Sequence, residues 1–387
     1  MNTTPTRNFF SAPVWALGFR PFFLLAGLFA VVAMLLWGFV LAGHGPMLEP
    51  FWHGHEMLFG YTGAVIAGFL LTAAANWTGR ATLVGASLAA IVLVWVAARI
   101  VVALPAAPDG LKAALCAGFF VFLALGVGRP IVATGKRRNY GILAVLGVYA
   151  ALELVYWLAP SMRLHVLEAV LLFIMVMVAI IGGRVLPAFT RNATPGLRVR
   201  PGGLWRDRTA MASLVGLAIL ALIPQTPSWL FAAVAAFGAV AHGLRMLGWG
   251  GEKTFARPIL WVLHLSYLCL PVGLALFAAQ ASGASIPFWV PLHVLAVGAL
   301  GLMTLGMMSR VTLGHTGRLI VANKATTLAY VLLIAAVVVR AAGPSLGAAS
   351  WQTVMLVAVG LWSLAFLVFF VAYAPKLLAP RPDGKPG

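Results

Sequence analysis

Two histidines and a carboxylate fall within four residues in Trp52-His53-Gly54-His55-Glu56-Met57, at the mouth of an apolar run from Leu58 to Ala75. Imidazole nitrogens bind haem iron and copper, and a carboxylate beside them can orient a ligand or carry a proton. Three further histidines, His242, His264 and His293, lie deep in other apolar segments, while His165 opens one, His315 lies in a loop and His44 in the loop ahead of the first pair. Ionisable groups placed among apolar segments are expensive and tend to mark sites.

The elements that must hold these residues are membrane helices. Of 387 residues, 62% are hydrophobic and 9% charged, which excludes a soluble domain. Twelve stretches of bilayer length run at about 21–43, 56–77, 82–104, 111–134, 139–159, 162–187, 208–224, 227–249, 256–280, 287–309, 320–342 and 350–374. The reading is an all-α polytopic bundle forming a single transmembrane domain over 1–387, without a signal peptide, with a disordered C-terminal tail. With the N-terminus inside, cytoplasmic segments collect 22 Lys and Arg residues and external ones 3, namely Lys112, Arg163 and Arg340; Arg99 lies within span three. That asymmetry puts both termini in the cytoplasm and accounts for the net charge of +18 without a nucleic-acid partner.

Orientation sorts the site candidates by depth. His53 and His55 lie at the outer mouth of span two, and His293 about 9 Å inside the outer end of span ten. Glu49, Glu56, Glu153 and Glu168 share that half. His53, His55 and His293 are therefore candidate ligands for a metal or haem, with Glu56 as proton relay or supporting carboxylate. Positions i and i+2 face different sides of a helix, so His53 must sit in the loop if it shares an ion with His55. His242 and His264 lie at matching depth on the consecutive spans eight and nine. They either bracket a haem or make interhelical hydrogen bonds. His315, in the loop Gly314-His315-Thr316-Gly317, is a further metal candidate. Glu56, Gly60, Gly63 and Ala67 form a small-residue stripe that admits a neighbouring helix or a flat cofactor. Met303, Met307 and Met308 either pack or offer soft sulfur to copper.

Cys116 and Cys269 read as buried small hydrophobes, and no Cys-x-x-Cys-His is present, so any haem is a non-covalent haem b. Nucleotide-binding glycine loops, a Ser-His-Asp arrangement and the adjacent His-His pair of haem-copper oxidases are also missing.

Four stretches resemble the NnrS family: Gly18-Phe19-Arg20-Pro21-Phe22-Phe23, Trp52 through Tyr61, Gly182-Gly183-Arg184-Val185-Leu186-Pro187-Ala188-Phe189-Thr190-Arg191-Asn192, and Gly301 through Arg318. The resemblance covers essentially the whole membrane region. It implies a multi-pass protein of the bacterial inner membrane that contains haem and copper and handles nitric oxide in detoxification or denitrification. Reduction of nitric oxide to nitrous oxide by an unidentified electron donor fits it. So does a non-enzymatic haem or copper carrier or nitric oxide sensor, while a transporter using the histidines as substrate sites is the third reading. The resemblance assigns no metal to a particular histidine.

Overall fold

The computed structural model describes residues 9–45, 48, 51–199, 202–343 and 350–385. Glu49 and the last two residues of the C-terminal tail lie outside the described residues. Twelve long helices, without a strand among the described residues, form the bundle. They are α1 (Phe19–Leu41), α2 (Trp52–Thr78), α3 (Gly85–Val102), α4 (Asp109–Ala133), α5 (Tyr140–Leu158) and α6 (Arg163–Ala193). The second half comprises α7 (Leu204–Ala221), α8 (Ser228–Met246), α9 (Pro258–Ala281), α10 (Trp289–His315), α11 (Lys324–Ala342) and α12 (Trp351–Leu378).

These helices lack the polar face of a soluble bundle. On α1 the exposed Leu28, Val32, Leu35 and Phe39 are as apolar as the buried Phe19, Phe22, Ala26, Ala30 and Ala33. With the backbone satisfied internally, such a stripe is solvated by lipid. Eleven of the twelve helices are long and apolar enough to cross a membrane. The other is α7, which takes Arg206, Asp207 and Arg208 into its first turns and starts ahead of the expected span 208–224. Asp207 is there for a reason: its Oδ1 accepts from Arg245 Nε of α8 at 2.6 Å.

The chain ends meet at one end of the bundle. Arg20 at the start of α1 donates through Nη1 to the carbonyls of Leu377 in the last turn of α12 and of Ala379 just past it, both at 2.8 Å. An odd number of traversals would leave the ends at opposite faces, so α7 supplies the twelfth. The tail, expected to be disordered, is held where it is described: Arg381 donates to His315 O at 2.9 Å and pairs with Asp383. The helix ends gathered here are called the terminal end and the opposite ones the distal end.

At the centre stand α2 and α10, whose apolar windows are 89% and 78% buried, against 33–61% for the other candidate spans. Both depart from α geometry just after their distal histidines, α2 as a π segment over Glu56–Tyr61 and α10 over Val294–Gly301. No other π segment occurs among the described residues. Such bulges shift side-chain register and concentrate at functional sites. Below the bulges, Thr304 donates to Leu300 O, and Tyr61 donates to Thr304 Oγ1 at 2.6 Å, locking α2 to α10.

Glycines let the buried arginines reach their partners. A Cβ on Gly60 would collide with Arg99 Nη1, and one on Gly183 would collide with the Arg245 guanidinium. Gly63 faces the Phe119 and Phe120 rings. The small-residue stripe of α2 thus admits side chains of α3 and α4. Gly60→Ala and Gly183→Ala are therefore expected to lower the melting temperature in detergent by displacing a buried guanidinium. Gly118→Ala, with open space around its Cβ, is expected to leave it unchanged. Equal melting temperatures for all three variants would contradict this packing.

Candidate cofactor site

The distal histidines belong to two different surroundings. Trp52–His55 is already helical, so His53 and His55 point to opposite sides of α2. His53 stacks on Trp37 of α1, with ring centroids 5.1 Å apart and planes 10° from parallel. It lines a cavity of about 290 Å³ together with His293 of α10 and Arg340 of α11. The single-site grouping of His53, His55 and His293 thus resolves into a pair, with His55 elsewhere because the loop it required is a helical turn.

The cavity's polar groups are few and poised. His293 Nδ1 donates to Trp289 O at 2.8 Å, one helical turn back, which fixes the tautomer and leaves Nε2 with the lone pair. His53 Nδ1, Arg340 Nη1 and Trp289 Nε1 are buried without a hydrogen-bond partner. An orphaned guanidinium beside two imidazoles costs several kcal/mol unless something else occupies the site. The remaining wall is apolar and aromatic, including Trp37, Trp351 and Trp362, with Met34, Met57 and Met355 adding thioethers.

This donor set fits a haem: two imidazoles for the iron and one guanidinium for a propionate. It also fits copper(I), which takes imidazole and thioether. The volume of about 290 Å³ stands just below the ~300–1,000 Å³ typical of ligand sites. A smaller apolar cavity of about 70 Å³ lies further along the same seam, walled by Met177, Met303, Met307 and Met308 and sharing Leu300 with the first.

On the other side of α2, His55 and Glu56 enter a buried ion cluster. His55 Nδ1 meets Glu56 Oε1 at 2.8 Å, and Nε2 meets Glu153 Oε2 of α5 at 2.9 Å. Arg99 of α3 donates to Glu56 Oε1 at 2.6 Å and reaches Cys116 Sγ of α4 at 3.5 Å. Carboxylates only accept, so each imidazole contact needs a proton. The trio holds one proton more than a neutral imidazole and two carboxylates supply. Counted as imidazolium and guanidinium against two carboxylates, the cluster is electrically neutral, which is what burial demands. Donor atoms of His55, Cys116 and Glu153 lie within 4.8 Å of one another, close enough for a metal ion, but both imidazole nitrogens are already engaged. The described hydrogen bonds of Glu56 lead to His55 and Arg99, away from the cavity.

The remaining histidines have protein partners or the surface. His242 Nε2 donates to Ala210 O at 3.0 Å and its Nδ1 accepts from Tyr267 Oη at 2.9 Å. His264 Nε2 donates to Thr190 Oγ1, which itself donates to Leu186 O. Trp249 stands against both Tyr267 and His264, with ring centroids at 4.7 and 6.5 Å. His315 packs against Phe19 at the terminal end. His165 donates to Ala221 O, and His44 is exposed beyond α1.

Sequence reasoning counted Arg340 only as an external cation and Arg99 only as a charge inside a span. Both carried a usable signal, since an arginine within a membrane helix must find a counter-charge or a ligand.

Removing one partner of a buried ion cluster costs about 3–5 kcal/mol. Arg99→Leu and Glu56→Leu are each expected to destabilise the protein strongly, and the charge-balanced double variant by less than the sum. Thermal unfolding of detergent-solubilised protein measures this coupling; strict additivity would mean the cluster is not a unit.

No curated protein matches this sequence. The family model for the NnrS protein matches residues 13–381. That range includes the residues of both distal sites, and the chain belongs to the NnrS family.

Proposed function

We propose that this protein is a haem-binding protein of the bacterial inner membrane that captures nitric oxide at the distal cavity and reduces it to nitrous oxide. Membership of the NnrS family suggests a role in the nitric oxide response. The observation that carries the rest is the His53–His293–Arg340 cavity, with its unpartnered nitrogen and guanidinium in an otherwise apolar wall.

A haem bound there would supply a redox-active iron, open to nitric oxide once one of its two imidazoles is displaced. His53 and His293 would hold the group, and the bond from His293 Nδ1 to Trp289 O orients the His293 ring for it. Arg340 would neutralise its carboxylates. The tryptophans exclude water, and the methionine-walled cavity gives a small apolar ligand a place beside the site. Nitric oxide partitions into lipid and needs no polar channel.

Joining two nitric oxide molecules into nitrous oxide and water consumes two electrons and two protons. The electrons come from a donor yet to be identified. The proton reservoir nearest in sequence is the Glu56–His55–Glu153 trio, which already carries the extra proton. Copper at the same imidazoles is the second reading, favoured by Met34, Met57 and Met355 in the wall. The charge asymmetry of the sequence supports a periplasmic distal cavity with both termini in the cytoplasm.

His53→Ala and His293→Ala are expected to abolish nitric oxide consumption by purified protein supplied with a chemical reductant, and to remove protection of cells at equal membrane abundance. Glu56→Gln is expected to slow turnover while keeping the cofactor. Unchanged consumption in both histidine variants, with loss in His242→Ala or His264→Ala, would move the chemistry to α8 and α9. A nitric oxide-induced spectral shift without consumption would make the protein a sensor or carrier.

A further inference from the structure

At the terminal end, α2, α5, α6 and α10 leave between them a separate cavity of about 670 Å³, well inside the ~300–1,000 Å³ of ligand sites. Its body is apolar, with Phe69, Ile142, Val145 and Ile181 in the wall. Its polar lining is Thr72, Asn76, Asn139, Arg184 and His315, neutral or cationic throughout. Asn139, 7% exposed, lines the cavity with Nδ2 buried and unpartnered. Arg184 lines it with an exposed guanidinium that has no carboxylate partner among the described residues. More positive charge touches the wall: Lys136 donates to Trp77 O, and the Arg310 guanidinium lies 3.7 Å over Phe189. No Asp or Glu is among the lining residues.

A head with a cation and an unpartnered amide donor but no carboxylate, above an apolar body, fits an amphiphile whose head accepts hydrogen bonds and carries negative charge. We propose that this cavity binds a phosphate-headed ligand, its anionic oxygens on Asn139 Nδ2 and Arg184 and its chain along the apolar wall. Arginine pairs with phosphate in charge-assisted, often bidentate bonds. Basic pockets between membrane helices at the cytoplasmic side hold lipid headgroups by this chemistry. A hydroquinone fits less well, because its oxidation releases two protons and His315 is the one ordinary proton acceptor among the lining side chains. A phospholipid headgroup and free inorganic phosphate share the recognised chemistry. The site is independent of the distal cavity and of the function assigned there.

The test is native mass spectrometry of the full-length, delipidated protein offered phosphatidylglycerol, phosphatidylcholine or inorganic phosphate. Phosphatidylglycerol is expected to be retained over phosphatidylcholine. Retention should fall roughly five- to tenfold in Arg184→Gln and further in Arg184→Glu. Arg191→Gln, which removes an exposed cation of the same helix outside the cavity, should leave it unchanged. Millimolar inorganic phosphate that fails to compete identifies the lipid as the source, and phosphate that displaces the lipid identifies the free anion. Arg184 is exposed, so its variants keep the fold; Asn139→Leu adds a second, buried arm. Equal retention of phosphatidylcholine, retention unaffected by both Arg184 substitutions, or a co-purified isoprenoid quinone displaced by a quinone analogue would overturn the proposal.

Discussion

The architecture turns on keeping charge neutral inside an apolar bundle. Arg99, Glu56, His55 and Glu153 come from three helices, and none of them is tolerable there alone. Together they cancel, and in cancelling they fix α2 against α3 and α5 at one rotation. Gly60 is part of that constraint, because any side chain there would bar Arg99 from Glu56. A second arginine, Arg245, repeats the device: Gly183 admits its guanidinium, which meets Asp207, Ala179 O and Tyr267.

Fixing the rotation of α2 decides what its other face can do. With His55 and Glu56 committed to the cluster, His53 is turned the opposite way, onto Trp37 and into the cavity shared with His293 and Arg340. The π segments of α2 and α10 follow these histidines directly, and the Tyr61–Thr304 bond holds the two helices together just below. The structure thus separates two jobs that lie side by side in the sequence. One face of a helical turn carries compensated charge and an extra proton. The other presents imidazole to an apolar space with an uncompensated guanidinium. That contrast supports the cavity as the proposed ligand site.

Much of this was legible in the residues. Composition and segment length gave the helical bundle and eleven of its spans, and the charge-bearing start of α7 explains why the twelfth differs. The even number of traversals, expected from the charge asymmetry, agrees with the meeting of Arg20 and the end of α12. The distal histidines and Glu56 were visible as costly residues. Their partition was not, because it depends on whether four residues, Trp52–His55, form a turn of helix or a loop. Nor was the partnership of Arg99 with Glu56 or of Arg340 with the cavity, since each joins residues far apart in sequence. The matching depth of His242 and His264 suggested a pair, yet depth says nothing about helix rotation. Rotation turns His242 towards Ala210 and Tyr267, and His264 towards Thr190.

The central claim is that the distal cavity binds a haem through His53 and His293. The most direct measurement is the visible and electron paramagnetic resonance spectrum of the purified full-length protein, with metal analysis on the same sample. The expected result is stoichiometric iron with the signature of two imidazole ligands, altered when either histidine is replaced by alanine. Purified protein with neither iron nor copper, or a spectrum that both replacements leave untouched, would contradict it.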